Sequence, residues 1–482
     1  NQHETIEILI NRDPKSDLEC VVGQYTGEEA LMGYTALQLA CYWYDSKCVK
    51  LLVDAGANVG YVNEKRQTRL HFIQRGTRVP TVELLAAAMA PIDTQDEDEY
   101  TPLAIAVREG NSGVARHFVE RGTKVNISSP KFGSILHIAV ANGDLSLVKF
   151  LVDAGADREA VDPKYGKSLL YTALDIRDDW RLRRMVRYLA VEAKAPINKF
   201  GGELGYPIIC AANSVEYPVT PITVVKFLIR CKAEVNVADS QGRTALHFAC
   251  VSASPERMNA LVETGANVDT KDKFGRLPMH FAAGTDSTDS TNIVAYLLDQ
   301  YKDMDINVAD QDGWTPLMWA ARSGSANTIT TLVERGADVW VRGRGIGAGG
   351  EWSALKLMNF TDNNTDLRHL LEPNERARVT SEGIEEEWDD NFHEIKPGDR
   401  KPYGCDSCFM DIVGRQWQCV ECPVDSSLCF ECFDHRSDLH DLTHTFRVIE
   451  PLYRKEDSKG DEGAAAEAKN CDGEDFDLDG DY

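Results

Sequence analysis

Six cysteines, Cys405, Cys408, Cys419, Cys422, Cys429 and Cys432, fall within 28 of the chain's 482 residues as three pairs, each with two residues between its members. His440 and His444 follow, with three residues between them. Thiolates and neutral imidazoles at such spacings bind zinc, which accepts both ligand types without redox or strong geometric demands. Six thiols and two imidazoles fill two tetrahedral sites and leave no position for water, so two structural zinc ions are expected rather than catalytic ones. His435 is a spare imidazole; the gap to His444 favours His440 as the ligand. A segment of ~50 residues has too small an apolar core to fold unaided, which makes metal binding part of its folding. The other seven cysteines are scattered singly in apolar contexts. That pattern argues against a disulfide scaffold and for a reducing compartment, cytosol or nucleus.

The elements that surround this cluster are set by a repeat. An apolar residue recurs at Leu37, Leu70, Leu103, Leu136, Leu170, Ile208, Leu246, Met279, Leu317 and Leu355, in steps of 33, 34 or 38 residues. Ahead of it stands a Thr or Ser able to cap a helix, often with Pro at the first helical position, as in Thr315-Pro316-Leu317-Met318. A second amphipathic helix follows, with apolar residues such as Val148, Phe150 and Leu151, and ends at Gly56, Gly122, Gly155, Gly265 or Gly336, where positive φ is expected. Neither helix can bury its stripe alone, so stacking must supply the core.

The Thr-Pro-Leu-His-like and Gly-Ala-Asp/Asn segments over residues 20–372 resemble the ankyrin repeat family. The resemblance implies an all-α solenoid of about ten repeats across residues 1–371, with a concave face and hairpin tips that bind proteins and with no catalytic activity. It also implies that His71, His137, His247 and His280, which share one register, bridge turn backbones rather than catalyse. Tyr34, Tyr100, Trp314 and Trp352, before the cap, are either binding anchors or hairpin packing. The longer steps place extra loops at residues 284–292 and 299–305, lining a binding face or neutral. Residues 4–11 read as a second helix without its first, the expectation for a piece of a longer protein. Gly345-Ile346-Gly347-Ala348-Gly349-Gly350 matches a phosphate-loop pattern without its strand–helix context and reads as a loop. Residues 475–480 match only the opening of a calcium loop.

Residues 372–400 hold ten acids against four bases, including Glu385-Glu386-Glu387-Trp388-Asp389-Asp390, and read as an acidic linker of mostly solvated charge. Residues 453–482, with eleven acids against four bases, read as a disordered acidic tail. Between them, the order of cysteine pairs, with Ile412-Val413-Gly414 after the second cysteine and His444-Thr445-Phe446 at the end, resembles the ZZ-type zinc finger over residues 401–452. That resemblance implies interleaved ligands: Cys405, Cys408, Cys429 and Cys432 on one zinc, and Cys419, Cys422, His440 and His444 on the other. It further implies that Asp406 and Asp425 stand where ZZ fingers that read free protein N-termini hold the α-amino group. Ser427 and Phe409 depart from that pattern, and the acids otherwise merely decorate a folding module.

The balance of 52 basic and 77 acidic residues gives a net charge of −25, which repels phosphate backbones; no local basic patch is evident, so nucleic acid is not an expected partner. The longest apolar stretch, residues 82–92, is shorter than the ~20 residues of a membrane span. The expected molecule is therefore an intracellular, non-enzymatic interaction scaffold, its stack binding one protein and its finger a basic or N-terminal peptide. Two alternatives place the chemistry outside this chain. One is the substrate-recognition part of a ubiquitin ligase resembling mind bomb proteins, for which a RING finger would have to lie elsewhere. The other is the sensor arm of a fungal-type immune-like ATPase, for which the phosphate loop would lie upstream.

Overall fold

The computed structural model describes residues 18–20, 34–42, 46–73, 75–88, 90–213, 220–344, 350–360, 367–373, 375, 377–379, 385–388, 400–404, 411–413, 416–419, 427–428 and 446–449. Helix pairs recur at each register of the repeat, from Ala36–Tyr42 with Ser46–Asp54 to Ala354–Phe360 with Arg368–Leu371, and build a helical ankyrin-type solenoid. Hydroxyls start the first helices as the sequence predicts. The Thr101 Oγ1 accepts the Ala104 N–H at 3.2 Å, and Ser134, Ser168 and Thr315 accept from His137, Tyr171 and Met318. Gly56, Gly122, Gly155, Gly265 and Gly336 end the second helices at φ between 83° and 92°. A Cβ there would meet nothing within 4 Å, so backbone conformation rather than space selects glycine.

The two helices of a repeat are buried differently. Pro102–Arg108 hides every residue from Pro102 to Val107, whereas Ser112–Glu120 hides only Val114, Ala115 and Phe118. Alanines such as Ala104, Ala106, Ala139, Ala249, Ala282 and Ala320 are fully buried in the first helices and let neighbouring ones approach closely. Each enclosed Leu or Ile adds about 1.5–3 kcal/mol of burial, so the stack is held by the seams between repeats rather than within any one.

Two expectations are corrected here, and one open alternative is decided. The extra residues at 284–292 are only partly a loop, because Thr288–Gln300 is one 13-residue helix that Ser287 caps. The aromatic residues before the cap are mainly packing: Tyr34, Trp314 and Trp352 are buried, and Tyr100 stacks on Phe132 at 4.5 Å. Finally, the acidic stretch at 372–400 is not simply solvated. Ala377–Val379 pairs antiparallel with Glu385–Glu387, Arg378 reaches Asp338 at 2.8 Å, and Trp388 is buried edge-on against Trp340. Among the described residues no helix is long and apolar enough to cross a membrane.

Candidate functional site

Between a second helix and the next first helix the chain makes a hairpin, and an acid or amide at its root sets the turn. Asp272 Oδ1 accepts the Phe274 and Arg276 N–H groups, at 2.9 and 2.8 Å, and its Oδ2 receives the Arg276 Nε–H at 2.8 Å. Asp239 does the same for Gln241 and Arg243, and Asp96 for Asp98 and Tyr100. The ion pairs Asp239–Arg243 and Asp272–Arg276 are almost wholly enclosed. Asp310 differs: Trp314 replaces the arginine, and its Oδ2 accepts the Trp319 indole N–H at 2.9 Å. Burial pushes the Asp310 carboxyl up to about 6.

The histidines tie each hairpin to the next. In His137, Nδ1 accepts the Ser134 N–H at 3.3 Å and Nε2 donates to the Lys167 carbonyl at 2.9 Å. His247 and His280 bridge in the same way to Arg276 and Val308, and His71 to Thr94 and Tyr100. Since carbonyls only accept, Nε2 carries the proton and the ring is neutral. Desolvation holds all four below the usual range, His247 at about 3 and His280 at about 4. The bridging role implied by the resemblance is therefore what these residues do. Burial also pushes the Cys41 and Cys210 thiols up to about 12, which leaves them protonated and weakly nucleophilic at neutral pH.

Backbone bonds then join hairpin to hairpin: Glu97 N–H to Lys65 O, Gly202 N–H to Tyr165 O, Lys273 N–H to Gln241 O and Gln311 N–H to Phe274 O, at 2.7–3.0 Å. The closest approach is at Gly201, where a Cβ would lie 1.8 Å from Gly166 O. On these two locked hairpins stand Tyr165 and Phe200, about half exposed at 49% and 55%. Lys164 lies over the Tyr165 ring at 4.5 Å, and Phe200 meets Tyr206 edge-on at 5.2 Å. A row of hairpins joined by main-chain bonds and carrying exposed aromatics suits protein recognition, where such side chains anchor interfaces. Sequence reading missed both; the signal was an aromatic residue beside Gly166 and before Gly201 in the hairpins of adjacent repeats.

Of the expected zinc ligands, Cys405, Cys408, Cys422, Cys429, Cys432, His440 and His444 lie outside the described residues, as do Asp406 and Asp425; Cys419 ends the strand Gln416–Cys419. Among the described residues no group of three or more possible metal ligands is gathered. The backbone around the motif is ordered into strands. Arg400–Gly404 pairs antiparallel with Asp411–Val413 across residues 405–410, and Gln416–Cys419 is central between Ser427–Leu428 and Phe446–Ile449. The segments 345–349 and 475–480 are also outside the described residues; the former is flanked by the antiparallel strands Gly343–Arg344 and Glu351–Trp352.

The absence of a basic patch is corrected. Stacking gathers Arg75, Arg108, Lys149, Arg181 and Arg184 around one groove, because residues a repeat apart become neighbours. The sequence signal was present: Arg75 and Arg108 share a register, and Asp179–Arg187 holds four arginines.

Ankyrin repeats are matched by a family model of three copies at residues 37–129, 181–272, 208–301 and 255–342, and by a single-repeat model at 134–163. The crystal structure of the human ASB11 ankyrin repeat domain is similar at 22% identity and a TM-score of 0.41, covering 48% of this chain and 99% of that one. No curated protein matches the chain. Ankyrin repeats are protein–protein interaction modules, and with more than half of its residues matched by their models the chain belongs to the ankyrin repeat family.

Proposed function

We propose that this protein is a non-enzymatic scaffold with two grips. The ankyrin stack binds one protein along its hairpin row, centred on Tyr165 and Phe200. A ZZ-type finger at residues 401–452, following an acidic linker and preceding an acidic tail, binds a basic or free N-terminal peptide. The observation that carries the first part is the row of hairpins locked by main-chain bonds and bridging histidines, with two half-exposed aromatic residues on it. Such preorganisation removes ordering cost from binding.

For the second part, the support is the chemistry of the donor set and its placement. In the sequence the Cys405–Cys408 pair falls between the paired strands Arg400–Gly404 and Asp411–Val413, Cys419 ends the central strand of the three-stranded sheet, and Cys429 is the next residue after the edge strand Ser427–Leu428. A metal held by cysteine pairs next to short strands would fasten strands that lack a core, which supports the reading. Cys405, Cys408, Cys429 and Cys432 would hold one zinc and Cys419, Cys422, His440 and His444 the other. When bound, zinc supplies folding energy. The segment's nine acids against four bases then favour cationic peptides, with Asp406 and Asp425 facing an α-amino group.

The test is an array of peptides, each with a free and an acetylated N-terminus, probed with the zinc-loaded full chain. Preference for free or basic termini is expected, together with its loss on Asp406→Ala or on chelation while the helical circular dichroism stays nearly intact. Binding that survives chelation would remove the zinc finger from this reading. For the stack, binders selected from a displayed peptide library against the full chain should weaken about tenfold with Tyr165→Ala and Phe200→Ala combined, the scale of an interface hot spot.

A further inference from the structure

The basic groove lies at the other edge of the solenoid. Hairpins precede each first helix, so the turns after those helices, at residues 108–111, 142–145 and 174–178, fall at the end away from the hairpin row. Arg75, Arg108, Asn142, Gly143, Asp144, Lys149, Trp180, Arg181 and Arg184 are among the residues that border an open groove of about 640 Å³ there. It runs across consecutive repeats of a chain whose net charge is −25, so a concentration of cations is unexpected on composition alone.

The two acids of the groove are already engaged. Glu109 pairs with Arg108 at 3.1 Å, while Asp144 accepts the Leu147 N–H and the Ser112 hydroxyl. Lys149 pairs with Glu192 at 3.1 Å. By contrast, Arg75, Arg181 and Arg184 are exposed and have no carboxylate partner among the described residues. The Arg181 stem lies against Gly143, where a Cβ would come within 3.3 Å of its Cδ, and Arg184 covers the Trp180 ring at 4.3 Å. Trp180 is 61% exposed, which leaves a large apolar face in water beside mutually repelling guanidinium groups. Cations without carboxylate partners beside an exposed indole suit a ligand.

We propose that this groove is a second docking surface, and that its occupant is an extended acidic peptide of a partner protein bearing an aromatic or large aliphatic residue. Carboxylates of the peptide pair bidentately with Arg75, Arg181 and Arg184, and its apolar residue covers the Trp180 indole. A peptide fits better than nucleic acid for two reasons. Its backbone N–H groups can donate to Glu109 and Asp144, whereas a phosphodiester backbone has no donor to offer them. The acidic surroundings also repel a long polyanion while tolerating a short acidic segment. The groove shares no residue with the hairpin aromatics or with residues 401–452, so it goes beyond the scaffold reading above.

The test uses the full chain and a fluorescein-labelled peptide of about fourteen residues, mixed Asp and Glu with a central Phe and Leu, followed by anisotropy. Binding is expected to weaken with salt, by about tenfold or more in Arg181→Glu with Arg184→Glu, and by about threefold in Trp180→Ala. Arg183→Glu, on the same helix but paired with Asp179, should leave affinity within about twofold. Tyr165→Ala with Phe200→Ala should not affect this peptide, which separates the outcome from the hairpin reading. Unchanged affinity in the double reversal overturns the proposal, as does no binding at about 200 μM protein, a level that already marks weak affinity. Tighter binding of an oligothymidine of equal length would reassign the groove to nucleic acid. A tenfold gain on removing residues 453–482 would make the chain's own acidic segment the occupant, against the partner assigned here.

Discussion

The hairpins rooted at Asp272 and Asp310 have the same backbone but different electrostatics. At Asp272 the carboxylate is enclosed with Arg276, which also lies over Phe274 and Phe281 at 4.7 and 5.0 Å. At Asp310 the position of the arginine is taken by Trp314, whose indole N–H donates to Arg344 O at 2.9 Å, and the carboxylate is held by N–H donors without an ion pair of its own. Two main-chain N–H groups bind the acid in both turns, so hydrogen bonding to the backbone dictates the shape while the residue four positions on decides the charge balance. A buried ion pair of this kind is costly to break from one side, whereas at Asp310 burial resists ionisation by more than the N–H donors favour it.

The largest expected effect follows from removing one partner. Asp272→Asn leaves the Arg276 guanidinium enclosed without its counter-charge and should cost about 3–5 kcal/mol of stability. Asp310→Asn should cost about 1 kcal/mol or less at pH 7, since it trades one acceptor for relief of a desolvated charge. Urea denaturation of the two variants side by side measures the contrast; equal losses would show that the arginine contributes little.

The pH dependence sharpens the same comparison. His247 and His280 bind protons less readily folded, at about 3 and 4, than unfolded, at 6.5, so the unfolded chain takes up protons first. Their stabilisation is complete above pH 6.5 and is lost as pH falls toward 3–4, by about 2 kcal/mol each at pH 5. Asp310 has the opposite sign. Its folded value of about 6 lies above the ordinary 3.8, so it binds protons more readily folded, and stability is gained as pH drops through that window. Melting at pH 7 and pH 5 should show a net loss in the native chain and, in Asp310→Asn, a loss steeper by about 1 kcal/mol. Parallel pH profiles for the two proteins would mean that Asp310 titrates normally.

The smallest effect is expected at the opposite edge. Arg181→Glu with Arg184→Glu should change the melting stability by no more than about 0.5 kcal/mol, because both side chains are exposed and without ion pairs among the described residues. A large loss would turn the groove from a docking surface into part of the fold. The two edges thus teach one lesson: the hairpin edge consumes its polar groups within the protein, and the turn edge is available because Arg75, Arg181 and Arg184 are exposed without carboxylate partners among the described residues.

Much of this was legible in the residues. The period of the leucines, the hydroxyl caps and the glycines that stop second helices each act within a few residues, so Thr101, Ser134 and Gly155 state their conformations locally. The register shared by His71, His137, His247 and His280 likewise pointed to the turns they bridge. The spacing of Cys405, Cys408, Cys419, Cys422, Cys429 and Cys432 raises the expectation of zinc by the same short-range logic, and that expectation stands as the proposal made above.

What depended on packing was not legible in that way. Trp388 reads as a residue in a solvated acidic run, yet the turn of the chain brings it onto Trp340. Tyr165 and Phe200 look like any hairpin aromatics, and only the contact between Gly166 and Gly201 sets them on one rigid row. Arg75, Arg108 and Arg181 are about a hundred residues apart at their extremes and become a single basic groove because stacking converts a repeat's length of sequence into one layer of structure. Sequence alone determined the helices and their ends, which follow from local hydrogen bonding and spacing. Tertiary structure alone decided which charges are enclosed, which are spent and which remain for a partner, because desolvation and Coulomb energy depend on neighbours that the chain supplies from other repeats.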